Sequence, residues 1–196
     1  MSGTNDTTSR AAAFRPCYSC CHPNAKGSGS SVRFELHPAH GTVEGSVFAT
    51  FAAQKTIGSF DGGHKILPTF DWANRITVRF AVNEVAEMLE VFRGYKEKLG
   101  EGNGLFHRTD KANTVITLEH RTEPTTGYVF GVSRRTTDGA LKRIHLMLAM
   151  NEAIVLSEAL AGGLLYMAFG IPEVIARHPA AEAVQAGDVQ QLKDVA

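Results

Sequence analysis

The sequence predicts an α+β fold made of two pseudo-symmetric ββββα units, on three observations. Residues 76–92 read ITVRFAVNEVAEMLEVF, and residues 144–160, 68 positions later, read IHLMLAMNEAIVLSEAL. Each is an alternating strand (Ile76, Val78, Phe80; Ile144, Leu146, Leu148) that runs into Asn-Glu and an apolar-periodic helix. The likeness continues upstream: Cys21-His22 matches Phe106-His107, VRFELH at 32–37 matches VITLEH at 115–120, and GSVFA at 45–49 matches GYVFG at 127–131. A four-stranded sheet with one helix seldom buries its apolar face alone, so the two units of this 196-residue chain read as one domain. That domain spans 14–172, in halves 14–100 and 101–172. Before it, residues 1–13 are polar and then Ala-rich, as expected of a disordered tail. After it, residues 173–196 form an Ala-rich, mildly acidic tail.

In chain order, the first half reads as a strand at 18–22, a Gly/Ser-rich turn, a strand at 32–37 and a strand at 46–55. A long loop (GSFDGGHKILPTF, 58–70) precedes the fourth strand at 75–82. Asn83 is a suitable N-cap for a helix over 84–99, with Glu84 and Glu87 near its positive end. The second half repeats the order: strands at 105–108, 114–121, 128–135 and 143–150, then a helix over 152–169 capped by Asn151. This second helix is apolar almost all round, which one small domain cannot cover, so it is expected in a subunit interface. Its Gly162-Gly163 pair is poor helix material and points to close backbone approach.

Formal net charge is zero, but the charge is sorted by element type. Segments 14–82 and 104–147, the strands and their loops, hold 14 Lys/Arg against 8 Asp/Glu. The helices, linker and tails hold 6 against 12. Basic sheets with acidic helices suit a polyanionic partner better than the total suggests. No uninterrupted apolar run approaches the roughly 20 residues of a membrane span. The N-terminus lacks a basic region followed by an apolar one, so a cytoplasmic protein is expected, nucleoid-associated if bacterial, with an organelle address left open.

Cys17-Tyr18-Ser19-Cys20-Cys21-His22 contains ligand spacing for zinc, yet the chain has no second Cys pair. A strand with small, partly buried thiols is the simpler reading, and no metal or cofactor is expected. His22 and His107 occupy equivalent repeat positions, which points to a shared structural role. No nucleophile-and-base spacing, GxGxxG or P-loop stands out, so catalytic residues are not expected and the protein reads as a non-enzyme.

Several motifs in a fixed order carry a resemblance. Phe70-Asp71-Trp72 precedes a strand leading to Asn83-Glu84-Val85-Ala86-Glu87-Met88-Leu89. Leu105-Phe106-His107 and LEHRTEPTTGYVFGVS (118–133) follow, then a closing strand and helix. Over roughly residues 20–170 the chain resembles the Whirly family of single-stranded DNA-binding proteins. Plant members carry Lys-Gly-Lys-Ala-Ala-Leu at the second strand, where this chain has Lys26-Gly27-Ser28-Gly29. The resemblance implies two antiparallel four-stranded sheets with helices packed behind, assembled into a homotetramer through the helices. It also implies binding of single-stranded nucleic acid along the sheets. Kinetoplastid guide-RNA-binding proteins share that fold and bind RNA, so DNA and RNA both remain open as partners.

Sequence-tolerant binding needs aromatic faces for bases and cations for phosphates. The aromatic candidates are Phe48, Trp72 and Tyr128, chosen over Phe51, Phe60, Phe70 and Phe130. Phe48 alternates with small polar neighbours, Trp72 sits in a loop, and Tyr128 enters its strand from a hairpin. The cationic candidates are Lys26, Arg33, Lys55, Arg75, Arg79, Arg108, Lys111, Arg134 and Arg135, with Lys65 and Arg121 as further members of the basic set.

Overall fold

A computed structural model describes residues 16–171, so the tails at 1–13 and 173–196 lie outside the described residues. The first half contains β1 (Cys17–His22), β2 (Ser30–His37), β3 (Ser46–Thr56), β4 (Ser59–Asp61), β5 (His64–Ile66), β6 (Thr69–Phe70), β7 (Ile76–Phe80) and α1 (Val82–Phe92). The second contains β8 (Leu105–Arg108), β9 (Ala112–Arg121), β10 (Gly127–Thr136), β11 (Leu141–Leu148) and α2 (Met150–Phe169). The first sheet runs β1-β2-β3, and β3 pairs next with β7 and, past Phe51, with the short β6. The second runs β11-β10-β9-β8. All pairings are antiparallel. The loop expected at 58–70 is thus largely built: β4 and β5 form a ribbon of their own and β6 extends the first sheet.

Pairing partners decide which residues of the two halves correspond. Phe51 lies between Val32 and Ile76, and Val132 between Ile116 and Ile144. Ile76 and Ile144 are equivalent, so Phe51 answers to Val132 and Val32 to Ile116. The motif matches on the two middle strands are therefore out of register by one residue. They equate Phe48, half-buried on the outer face, with Phe130, which is fully buried. A slip of one position reverses every side chain of a strand. On β1 and β8 the match holds, because Cys20 pairs with Val32 as Leu105 pairs with Ile116.

Inward residues of both sheets make one core around Phe130, whose ring centroid lies 4.9 Å from Phe51, 5.6 Å from Phe34 and 6.5 Å from Phe80. Burial pushes the Cys20 thiol in this core up to about 11. Both helices start two residues earlier than Asn83 and Asn151 suggested. Ala81 and Ala149 hold the N-cap positions, and an acid inside the first turn satisfies the free backbone N–H. Ala81 N–H donates to Glu84 Oε2 (2.8 Å), and Ala149 N–H donates to Glu152 Oε2 (2.9 Å). The other carboxylate oxygen reaches across the pseudo-symmetry. Glu84 Oε1 meets His107 Nε2 at 2.6 Å, and Glu152 Oε1 meets His22 Nε2 at 2.8 Å. Each helix start is thus tied to the first strand of the other half.

Helix α1 ends at Phe92 rather than 99, and Gly94 takes a positive φ just past it. Helix α2 is long and apolar enough to cross a membrane by length and composition. One side of it packs in the fold through Ala153, Leu156, Leu160, Gly163 and Met167. The end of this side lies tight against the residue that leads into β3, since a Cβ on Gly45 would sit 2.3 Å from Met167 Cα. The other side leaves Ile154, Val155, Leu165 and Phe169 exposed.

Candidate nucleic-acid interface

On the outer face of the first sheet, cross-strand pairing sets up two rows. Cys17, Glu35, Phe48 and Arg79 lie side by side, as do Ser19, Arg33, Thr50 and Thr77. The Phe48 ring leans on His37 at 4.5 Å, and His37 Nε2 meets Glu35 Oε1 at 2.7 Å. Beyond Thr50 the chain returns as the Trp72 loop. Asp71 N–H donates to Ala53 O (2.8 Å), and Asn74 donates to the Asp71 carboxylate from its backbone N–H (3.2 Å) and its side-chain amide (2.9 Å). These hydrogen bonds hold the Asp71 carboxyl below its usual range. Arg75 Nη1 donates to Trp72 O (2.9 Å), which fixes the loop's exit. Trp72 is 37% exposed, with its ring 6.3 Å from Phe70.

Three clefts adjoin here. The first is lined by Arg33, Phe48, Trp72, Arg75 and Thr77 among others. Thr77 also lines the second, together with Arg79, His107, Lys111 and Arg134. The second shares Thr109, Ala112 and Thr136 with the third, which holds Arg108 and Arg135. The two sheets therefore present one continuous track. It brings together Arg33, Phe48, Trp72, Arg75, Arg79, Arg108, Lys111, Arg134 and Arg135 of the sequence candidates. Lys26 and Lys55 are exposed but lie outside it.

Two candidates take other roles. Tyr128 is 5% exposed, not surface-facing as its hairpin position suggested. Its register beside Leu148 turns it inward, its hydroxyl donates to Phe92 O (3.0 Å), and burial raises its pKa. Arg134 is not a free cation. Its Nε donates to Thr114 Oγ1 (3.0 Å) and its Nη2 to Thr77 O (2.8 Å), bridging the sheets, and burial lowers its pKa. Arg33 is shared with Glu35 at 3.4 Å. Arg79, Arg108, Lys111 and Arg135 form no side-chain hydrogen bond or ion pair among the described residues, so their charge faces outward undivided.

The sequence reading passed over Phe106 and Arg143. Phe106 is 61% exposed and shares an outer row of the second sheet with Val115, Ser133 and Arg143. Alternation at 105–108, with Leu105 and His107 turned in, was the available signal. Among the described residues, no three His, Cys, Asp or Glu side chains gather as metal ligands.

No protein-family model matches the sequence, and no curated protein sequence matches it. Solved structures do match. WHY1 from Arabidopsis thaliana superposes with a TM-score of 0.63 at 17% identity, over 91% of this chain and 95% of that one. The fold is Whirly-like. WHY3 from Arabidopsis thaliana gives 0.62 at 17% identity, over 91% and 99%, and the plant transcriptional regulator PBF-2 gives 0.60 at 19% identity, over 79% and 82%. The Whirly-like architecture accounts for both sheets and both helices across nearly the whole described chain.

Proposed function

We propose that this Whirly-like chain is a non-enzymatic protein that binds single-stranded nucleic acid, mainly DNA, with little regard to sequence. The observation that carries the reading is the continuous basic track with Phe48 and Trp72 at one end. Arginines and a lysine follow a phosphate backbone along such a track, and aromatic faces stack bases, at about 1–3 kcal/mol per base. The likeness to a plant transcriptional regulator supports a nucleic-acid role at the level of the fold.

Assembly belongs to the same proposal. The exposed side of α2 carries Ile154, Val155, Leu165 and Phe169 around one acid, Glu158, and this apolar surface in water favours burial against other subunits. A homotetramer joined through the helices leaves the basic sheets outside. Leu165→Glu tests this by light scattering at micromolar concentration: a folded variant of lower mass supports it, and a monomeric native protein overturns it. Leu156 is unsuited to the test because it is buried inside the protomer.

Titration with labelled oligothymidylate, oligouridylate and duplex of equal length tests binding directly. Single strands should bind tighter than duplex, and affinity should fall steeply with salt, with a log–log slope near −0.7 per phosphate neutralised. Tighter oligouridylate binding would reassign the partner to RNA. No binding at low salt would leave an oligomeric scaffold.

A further inference from the structure

The β4–β5 ribbon has no counterpart in the second half. Residues 57–75 separate β3 from β7, whereas only residues 137–140 separate β10 from β11. Every residue of both ribbon strands is exposed, and Phe60 is 78% exposed. Register places Phe60 directly opposite Lys65, so the two share one face. The ribbon's one acid, Asp61, pairs with His64 on the other face. The Phe60 face thus joins an open aromatic ring to an undivided positive charge.

The base of the ribbon is fixed against the loop that carries Lys26. Gln54 Oε1 accepts from Asn24 N–H (2.8 Å) and Gly29 N–H (3.0 Å), and its Nε2 donates to Asn24 O and Thr56 O (both 3.0 Å). A Cβ on Gly27 would lie 3.7 Å from Ile57 Cγ2. Lys26, Lys55 and Lys65 therefore gather at one corner, with no ion pair among the described residues. The corner continues the candidate interface, because β6 and the Asp71–Ala53 hydrogen bond lead straight from the ribbon to Trp72.

We propose that the ribbon is an arm that lengthens the single-strand path beyond the basic track. Phe60 stacks on an unpaired base, and Lys26, Lys55 and Lys65 meet the adjoining phosphates. This rests on the binding reading above. Charge complementarity and continuity with the track favour a single-stranded polyanion over a second copy of the chain as the occupant.

The test compares Phe60→Ala, Phe60→Trp and the native full chain on two labelled oligothymidylates, one of about 6 and one of about 20 nucleotides. Phe60→Ala should lose roughly tenfold on the longer strand, the fold-change of one lost stacked base, and little on the shorter one. Phe60→Trp should retain the longer-strand affinity. Circular dichroism and light scattering accompany each variant. Equal affinities for native and Phe60→Ala on both strands, with native binding intact, overturn the arm and leave the track standing. An equal loss on both strands also overturns it. A lower mass in Phe60→Ala makes the ribbon a subunit contact instead. If the native protein binds neither strand, the binding reading itself fails.

Discussion

The two halves of this molecule solve the same packing problem with different side chains. At the inner contact between the sheets, Ser30 Oγ donates directly to His145 O at 2.6 Å. At the equivalent place in the second half, Thr114 does not reach Thr77 O, and Arg134 fills the gap by donating to both. The core centre is equally unequal: Phe130 fills it from the second sheet, and its counterpart on the first is Ala49. Only the helix starts are alike, each with a glutamate that accepts the cap N–H and meets a histidine of the other half. The repeat therefore preserves the joints that need matching geometry. Volume and surface chemistry are shared out between halves, as they can be when only the total must fill one core.

The largest expected effect tests that sharing. Phe130→Ala should cost about 3–5 kcal/mol of unfolding free energy in urea titration, because it empties the point where three other phenylalanines meet. Ala49→Phe should also destabilise, by about 1–3 kcal/mol, since the position is fully buried beside a filled centre. If Ala49→Phe rescued Phe130→Ala, the halves would be interchangeable and the unequal division of volume would be incidental.

How far the sequence could be read follows from the same comparison. Strand-to-helix junctions were legible because apolar alternation changing to helical spacing is a strong signal, and it placed β7–α1 and β11–α2 at equivalent positions. Local motif likeness on the middle strands was misleading by one residue. GSVFA and GYVFG look alike because both hold a Gly and a Val-Phe pair, yet only cross-strand pairing shows that Phe48 and Phe130 face opposite ways. Tyr128 was misread for a different reason: its entry from a hairpin suggested exposure, whereas its place beside Leu148 and His120 turns it inward. The histidine–glutamate joints were half visible: the repeat marked His22 and His107 as equivalent, but their partners lie 130 and 23 residues away. Seven of the cationic candidates fell on one track: alternation puts Arg33, Arg79, Arg108 and Arg135 on outer faces of their strands, and Arg75 and Lys111 sit in the adjoining loops. Arg134 escaped the reading because nothing local reveals that the opposite sheet offers a carbonyl.

Next in size is the bridge. Arg134→Ala should cost about 1–3 kcal/mol, because it leaves Thr77 O and the buried Thr114 hydroxyl without a partner. Ser30→Ala should cost about 1 kcal/mol, the net value of a single hydrogen bond. A larger loss for Ser30→Ala would reverse the ranking of the two solutions. For the same reason Arg134 is unsuitable as a binding probe, and Arg135→Glu, exposed on the track, is the variant that should weaken single-strand affinity without loss of fold.

The helix joints should behave as a matched pair. His22→Gln and His107→Gln should each cost about 0.5–1.5 kcal/mol, in nearly equal amounts. The histidines are similarly exposed, at 32% and 26%, so solvent screens both bonds to a comparable degree. A difference of more than about 1 kcal/mol between them would show that the joints are alike in geometry only.

The smallest effect belongs to the half-one insertion. Asp71 has its pKa lowered from 3.8 by the two hydrogen bonds from Asn74, and its carboxylate organises the Trp72 loop. A depressed carboxyl stabilises this arrangement fully above its unfolded value, and the contribution is lost as pH falls through the lower folded value. Trp72 is the chain's one tryptophan, so its emission reports the loop alone. The emission should stay constant from neutral pH down to about 4 and shift only in stronger acid. In Asp71→Asn, that acid shift should vanish while far-UV circular dichroism still follows the native acid profile. A shift that persists in Asp71→Asn would mean that the loop simply melts with the sheet behind it. The Trp72 end of the track would then owe its shape to β3 rather than to the carboxylate.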